Sequence, residues 1–309
     1  MKTYLDCYPC FLRQALDAAR QVGADDARQQ AVLDRVLEAL RQIEPGATPP
    51  EIGDRVHRIV RQVAGNSDPY RETKQASTRQ ALALYPRLKA LVREASDPLD
   101  VAVRLSIAGN ILDAAHSQEC DLWDTVERVL TQPFAVDDGR AFREALAGAG
   151  EVLYLADNAG ETVFDRVLIE ALNLPVSYAV KGGPTLNDAT REDALAAGVD
   201  RVAEIVSTGS DAPGTILSRC SDEFRELYER AELIIAKGQA NYETLSEEGS
   251  KVFCLLQTKC PVIARDVGVP VGSIVLRRGL DTDAKAEGES KCCLLYTSDA
   301  ADELDGVDL

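Results

Sequence analysis

Near residue 150 the spacing of the apolar residues changes period, and this change limits the possible folds more than any other feature of the chain. Before it, apolar residues recur at helical spacing: Phe11, Leu12, Ala15, Leu16, Ala19; then Val32, Val36, Leu37, Leu40; then Ile52, Val56, Ile59, Val60, Val63 behind Pro49 and Pro50, which suit a first helical turn. A segment from Pro69 to about Ala95 carries Pro86 in its interior, which should kink or divide it, and another runs from Pro98 to Ala115. After residue 150, short apolar runs alternate with helical stretches. Strands are expected at 151–156, 175–180, 202–206, 232–236, 251–256 and 273–276, and helices at about 162–173, 188–198, 214–231, 241–248 and 261–267.

The sequence therefore predicts an α/β chain. An all-helical N-terminal domain (1–148) packs on a Rossmann-like three-layer α/β/α domain (149–280) with a mostly parallel sheet and right-handed crossovers. Residues 281–309 are expected to be a disordered or artefactual tail. That stretch holds nine acids and two bases, and Cys292 through Glu303 resembles translated adapter sequence. No run of about 18 apolar residues occurs, so no membrane partner is expected, and the amino terminus lacks the apolar core of a secretion signal, which makes cytoplasmic placement the expectation. The formal net charge of -17 disfavours a nucleic-acid partner, because binding a polyanion needs a concentrated basic surface. Eight cysteines without a secretion signal favour free thiols.

Three expected strands run straight into polar residues. In an open α/β sheet ligands bind beyond the carboxyl ends of the strands, so these three ends should face one crevice. After the first comes Asp157-Asn158-Ala159-Gly160-Glu161. A helix N-cap would explain one of these polar residues; the set as a whole suits Asp157 and Asn158 as hard oxygen ligands to a divalent cation, with Glu161 near enough to orient or deprotonate a water. After the second comes Lys181-Gly182-Gly183-Pro184, then Asn187-Asp188. Here Asp188 is the candidate third ligand and Lys181 a neutraliser of phosphate charge, with capping again the plain alternative. After the third comes Lys237-Gly238-Gln239-Ala240-Asn241, where glycine lets the backbone approach a ligand and the next helix offers amides to an anion. Gly109-Asn110 sits inside a helical segment with Asp113 one turn later; close packing explains the glycine, and Asn110 reaches the ligand if that helix faces the crevice.

Several chemistries are unsupported. No Gly-x-Gly-x-x-Gly follows a strand, and neither a GxxxxGK[ST] loop nor a Gly-x-Ser-x-Gly elbow occurs. Cys7-Tyr8-Pro9-Cys10 has knuckle spacing but no second pair, and with His57 and His116 the only histidines, a catalytic metal would fall to carboxylate and amide oxygens.

Taken together, Cys7-x-x-Cys10, Asp68-Pro69-Tyr70 with Lys74, Gly109 through Asp113, Asp157 through Glu161, Lys181 through Thr190 and Lys237 through Glu243 resemble the metal-dependent damage-control phosphatase family, long known as domain of unknown function 89. The Cys-x-x-Cys start is similar to its prokaryotic branch. The resemblance implies a cation (Mg, Mn, Co or Ni) held by Asp157, Asn158 and Asp188. It also implies phosphate contacts from Lys181 and Lys237, substrate contacts from Asn110, Asn187 and Asn241, and catalytic roles for Asp157, Glu161, Lys181 and Lys237. Such enzymes hydrolyse small phosphate monoesters, sugar phosphates and damaged metabolites among them, and a small phosphorylated metabolite is the expected partner. One departure is Ala240, where the family pattern has glycine. The alternatives are a phosphometabolite-binding protein without catalysis and a Rossmann-like methyltransferase.

Overall fold

The structure is a computed structural model that describes residues 1–44, 46–64, 68–112 and 122–281. Asp113, His116, Cys120 and the tail from 282 onward lie outside the described residues. In chain order the elements are α1 (Cys7–Gln21), α2 (Asp26–Arg41), α3 (Pro49–Ala64), α4 (Arg71–Glu94), α5 (Pro98–Leu112), α6 (Leu122–Thr131), β1 (Phe134–Asp137), α7 (Gly139–Gly148), β2 (Val152–Leu155), α8 (Thr162–Leu172), β3 (Val176–Val180), α9 (Arg191–Ala196), β4 (Glu204–Ser207), α10 (Asp222–Arg230), β5 (Ile234–Lys237), α11 (Gly238–Leu245), β6 (Val252–Gln257), α12 (Pro261–Val267) and β7 (Ile274–Arg278).

The strands form one sheet in the order β1-β7-β6-β5-β2-β3-β4. Neighbours are parallel except β6 and β7, which are antiparallel. All six expected strands are present, and the mixed α/β class with a mostly parallel sheet is as read from the sequence. Side chains on the central strands alternate between two apolar layers, as the twofold pleat requires. Val152 and Tyr154 enter the layer made with α4 to α8, while Leu153 and Leu155 enter the layer made with α10 to α12. A third core, built by Phe11, Ala15, Val32, Val36, Val56 and Val60, joins α1 to α3 and is closed by Val262 of α12.

Three details differ from the sequence expectation. The stretch read as wholly helical contains β1, a four-residue edge strand pairing with β7. Pro86 does not divide α4, which stays one helix of 24 residues; Ala81 and Leu88, before and after it, are buried in the layer shared with α8, and this packing outweighs the lost hydrogen bond. The expected 214–231 helix is a short 3-10 turn at Leu217–Arg219 followed by α10. Between them the Ser221 hydroxyl accepts a hydrogen bond from the Phe224 amide and caps α10.

Candidate active site

From β2 the chain passes to β3 and β4 on one side, and β5 and β6 lie on the other, so the order switches beside β2. A crevice opens at such a point, beyond the carboxyl ends of the strands. The loops leaving β2 and β3 are stitched together there. The Ala159 amide donates to the Asn187 carbonyl (2.9 Å) and the Ala189 amide to the Asp157 carbonyl (2.8 Å), which makes Asn158 and Asp188 bridge partners. Backbone pairing thus brings Asp157, Asn158 and Asp188 to one place, and all three are buried.

Their side chains form a connected set. Asn158 Nδ2 donates to Asp157 Oδ2 (3.0 Å) and Glu161 Oε2 (3.1 Å). Asn110, from α5, donates its Nδ2 to the same two oxygens at 2.6 and 2.9 Å. Lys181 Nζ donates to the Gly214 carbonyl and lies 3.4 Å from Asp188 Oδ2. An ammonium has three donors and the Gly214 carbonyl takes one, so Lys181 keeps donor capacity for a further acceptor.

Burial pushes the Asp157 carboxyl well above the usual range, and the nearby Glu161 and Asp188 carboxylates raise it further; Lys259 and Lys181 pull the other way. Burial likewise raises Asp188 to about 6, against the pull of Lys181. Crowded, desolvated carboxylates of this kind favour added positive charge, whether as protons or as a cation. Asp188 Oδ2 and Asn110 Oδ1 are buried and make no hydrogen bond. An oxygen-donor set of Asp157, Asn158 and Asp188 with such orphaned acceptors fits a hard divalent cation. It numbers two carboxylates and an amide; among the described residues no three His, Cys, Asp or Glu side chains converge as a metal-ligand group.

The third strand end behaves differently from the other two. Lys237 is fully buried and directs its three donors to Glu161 Oε1 (2.5 Å), Asp165 Oδ1 (2.7 Å) and the Ser106 carbonyl (3.0 Å). Asn241 Nδ2 donates to the Ala156 and Lys237 carbonyls (3.1 and 2.8 Å), and its Oδ1 accepts from Thr215 Oγ1 (2.8 Å), so its side chain ties β2 to β5. Asn187 is half-buried, with its carbonyl in the stitch described above. Sequence reasoning missed Lys259, a cation just past a fourth strand end. It also missed Asp165, whose signal is a carboxylate one turn after Glu161 in the apolar run Val163-Phe164-Asp165-Arg166-Val167-Leu168.

Residues 3–275 match the damage-control phosphatase ARMT1-like domain. The chain belongs to that family. A damage-control phosphatase of Pyrococcus horikoshii is 35% identical over 286 residues, covering 90% of this chain and 98% of its own. One from Archaeoglobus fulgidus is 34% identical over 281 residues, covering 88% of this chain and 97% of its own. The crystal structure of a DUF89 family protein from P. horikoshii superposes with a TM-score of 0.82 at 33% identity, covering 90% of this chain and 99% of that one. Family membership and the shared fold agree with the resemblance carried by the strand-end motifs.

Proposed function

We propose that the chain is a divalent-cation-dependent phosphomonoester hydrolase acting on small phosphorylated metabolites, sugar phosphates or damaged phosphometabolites among them. Family membership supports a phosphatase. The observation that carries the cation dependence is the backbone stitch that sets Asp157, Asn158 and Asp188 side by side at the switch point, with the Lys181 ammonium against them. Asp157, Asn158 and Asp188 would hold the cation, which when bound supplies Lewis-acid polarisation of a phosphoryl oxygen and a more acidic water.

The chain's own groups do the rest. The free donor of Lys181 is placed to take a phosphoryl oxygen as charge builds in the transition state, and Lys259 adds positive potential from the β6 side. Glu161 or Asp157 would accept a proton from the attacking water. Beside Lys181 a cavity of about 330 Å³ is lined by Asp68, Arg71, Gly182, Thr190, Arg191 and Glu192, a size suited to the organic part of a small phosphate ester.

Phosphate release from p-nitrophenyl phosphate and common sugar phosphates, with Mg²⁺, Mn²⁺, Co²⁺ or Ni²⁺, tests the reading. Turnover that EDTA abolishes is expected, and Asp157→Asn should lower it by a factor on the order of a thousand. No release with any of the four cations would reject hydrolysis and leave phosphometabolite binding without turnover.

A further inference from the structure

We propose that Asp165 and Lys237 are positioning residues, a buried ion pair that fixes Glu161 and through it sets which atom of the Asn158 amide faces the cation. The inference rests on the cation site proposed above and assigns to Lys237 a task other than touching phosphate.

The geometry is that of an anchored strut. Asp165, Lys237 and Glu161 have no solvent exposure. Asp165 is held from four elements: Oδ1 accepts from Ser106 Oγ of α5 (3.1 Å), Tyr154 OH of β2 (2.7 Å) and Lys237 Nζ of β5 (2.7 Å), and Oδ2 accepts from Tyr178 OH of β3 (2.8 Å). Lys237 passes this fixed position to Glu161 Oε1. The other oxygen of Glu161 faces the site, where it accepts from Asn110 Nδ2, Asn158 Nδ2 and, at 3.4 Å, the Asn158 backbone amide. One carboxylate thus has one oxygen on the anchor and one on the amides.

The chemical consequence concerns Asn158. The oxygen and nitrogen ends of an Asn amide have nearly the same shape, so electrostatics decides which end faces which way. With Asp157 Oδ2 and Glu161 Oε2 both accepting from Nδ2, a flipped amide would press its oxygen against two carboxylates. Nδ2 is therefore committed to the carboxylates, and Oδ1 is the atom left to a cation. Glu161 enforces this only while it stays in place, and among the described residues Lys237 and Asp165 are what hold its far oxygen. No local sequence pattern announces the strut, because its members come from α5, β2, α8, β3 and β5.

Calorimetric titration of the full chain with Mn²⁺, alongside melting temperatures in EDTA, tests this. Asp165→Asn is expected to weaken Mn²⁺ binding at least tenfold and to lower kcat for p-nitrophenyl phosphate, with KM changed by less than about twofold. Because Asp165→Asn leaves a buried ammonium with one partner fewer and could impair folding, Tyr178→Phe serves as the milder variant, expected to weaken Mn²⁺ binding two- to fivefold. The double variant Asp165→Asn with Lys237→Met separates positioning from stability. Restored melting temperature with Mn²⁺ binding still weak supports the strut, whereas Mn²⁺ binding that recovers with the melting temperature overturns it. Single variants that bind Mn²⁺ within twofold of wild type also overturn it. Wild-type protein that binds no Mn²⁺ would overturn the cation site itself and this inference with it.

Discussion

At Gly238 the missing Cβ leaves room for the Asp157 carboxylate. Its φ is +77°, and an added Cβ would lie 1.8 Å from Asp157 Oδ2 and 2.3 Å from Asp157 Cγ. Gly238→Ala must therefore both strain the backbone and displace Asp157. A loss of about 1–3 kcal/mol in stability and a fall of roughly a hundredfold in phosphate release are expected, read by chemical denaturation and initial rates. A near-normal rate would mean that Asp157 can move without consequence. A second residue-scale effect comes from Glu243, which burial raises from 4.5 to about 7, with a nearby Asp266 adding to the rise and Gln239 and the N-terminal ammonium opposing it. The folded state then binds more protons than the unfolded state between about pH 4.5 and 7, so stability falls as pH rises through that window. Glu243→Gln lacks this cost. Its unfolding free energy, read by chemical denaturation, should match wild type near pH 4.5 and exceed it at pH 8, by an amount on the order of 3 kcal/mol at most, whereas parallel pH profiles would contradict the assignment. Asp157, Asn158 and Lys181 stood out in the sequence because they follow an apolar strand directly, and Asp188 because it closes the turn that leaves one. The partners of Lys237 were not, since Ser106, Glu161 and Asp165 lie on α5 and at the start of α8, far from β5 in the chain.

Among the elements, the crossing of α5 over α8 sets the position of Asn110. A Cβ on Gly109 would come within 2.8 Å of Phe164 Cβ and 2.9 Å of its Cγ, so the two helices touch at the glycine. This agrees with close packing as the reason for a glycine inside a helix. The next residue, Asn110, then reaches Asp157 and Glu161. Gly109→Ala should push the helices apart and cost about 1–3 kcal/mol. It should also lower cation-dependent turnover about tenfold by withdrawing the amide, as urea midpoints and rates measured together would reveal. Lost stability with an unchanged rate would detach Asn110 from the chemistry. The strands after residue 150 were readable because buried parallel strands are short apolar runs with clear ends. β1 was not, because a four-residue edge strand with alternate half-exposed positions carries too little apolar signal to interrupt a helical reading. Pro86 misled for the opposite reason: a strong local signal was overruled by contacts that local spacing does not encode.

On the scale of the whole molecule, the chain's two halves are interlocked. β1 returns from the first half to the sheet edge, α4 to α6 cover one face, and ion pairs tie α3 to the loops past β4. Arg58 and Arg61 meet Asp211 at 2.7 and 2.9 Å, and Asp54 meets Arg219 at 2.5 Å. Lys74 of α4 contacts Asp68 and, at 3.2 Å, Asp193 of α9. The change of period at residue 150 disclosed two kinds of secondary structure but could not disclose this exchange, which is made by contacts between positions far apart in the chain. Among the described residues, the last contacts after β7 are specific ones. After β7 the Gly279 amide donates to the Val252 carbonyl (2.7 Å), the Leu280 amide to the Ser246 carbonyl (2.9 Å), and Asp281 Oδ1 accepts from the Ser250 amide (2.9 Å). The family match stops at residue 275, six residues before that last contact. Every described strand, each proposed ligand and the strut behind them lie before residue 282. A chain cut after Asp281 should therefore melt within about 2 °C of the full chain and release phosphate within about twofold of its rate, since no backbone hydrogen bond or site residue described above is lost. A drop of ten degrees or of tenfold in rate would instead assign the acidic segment a part in folding or catalysis that neither its composition nor the family match provides.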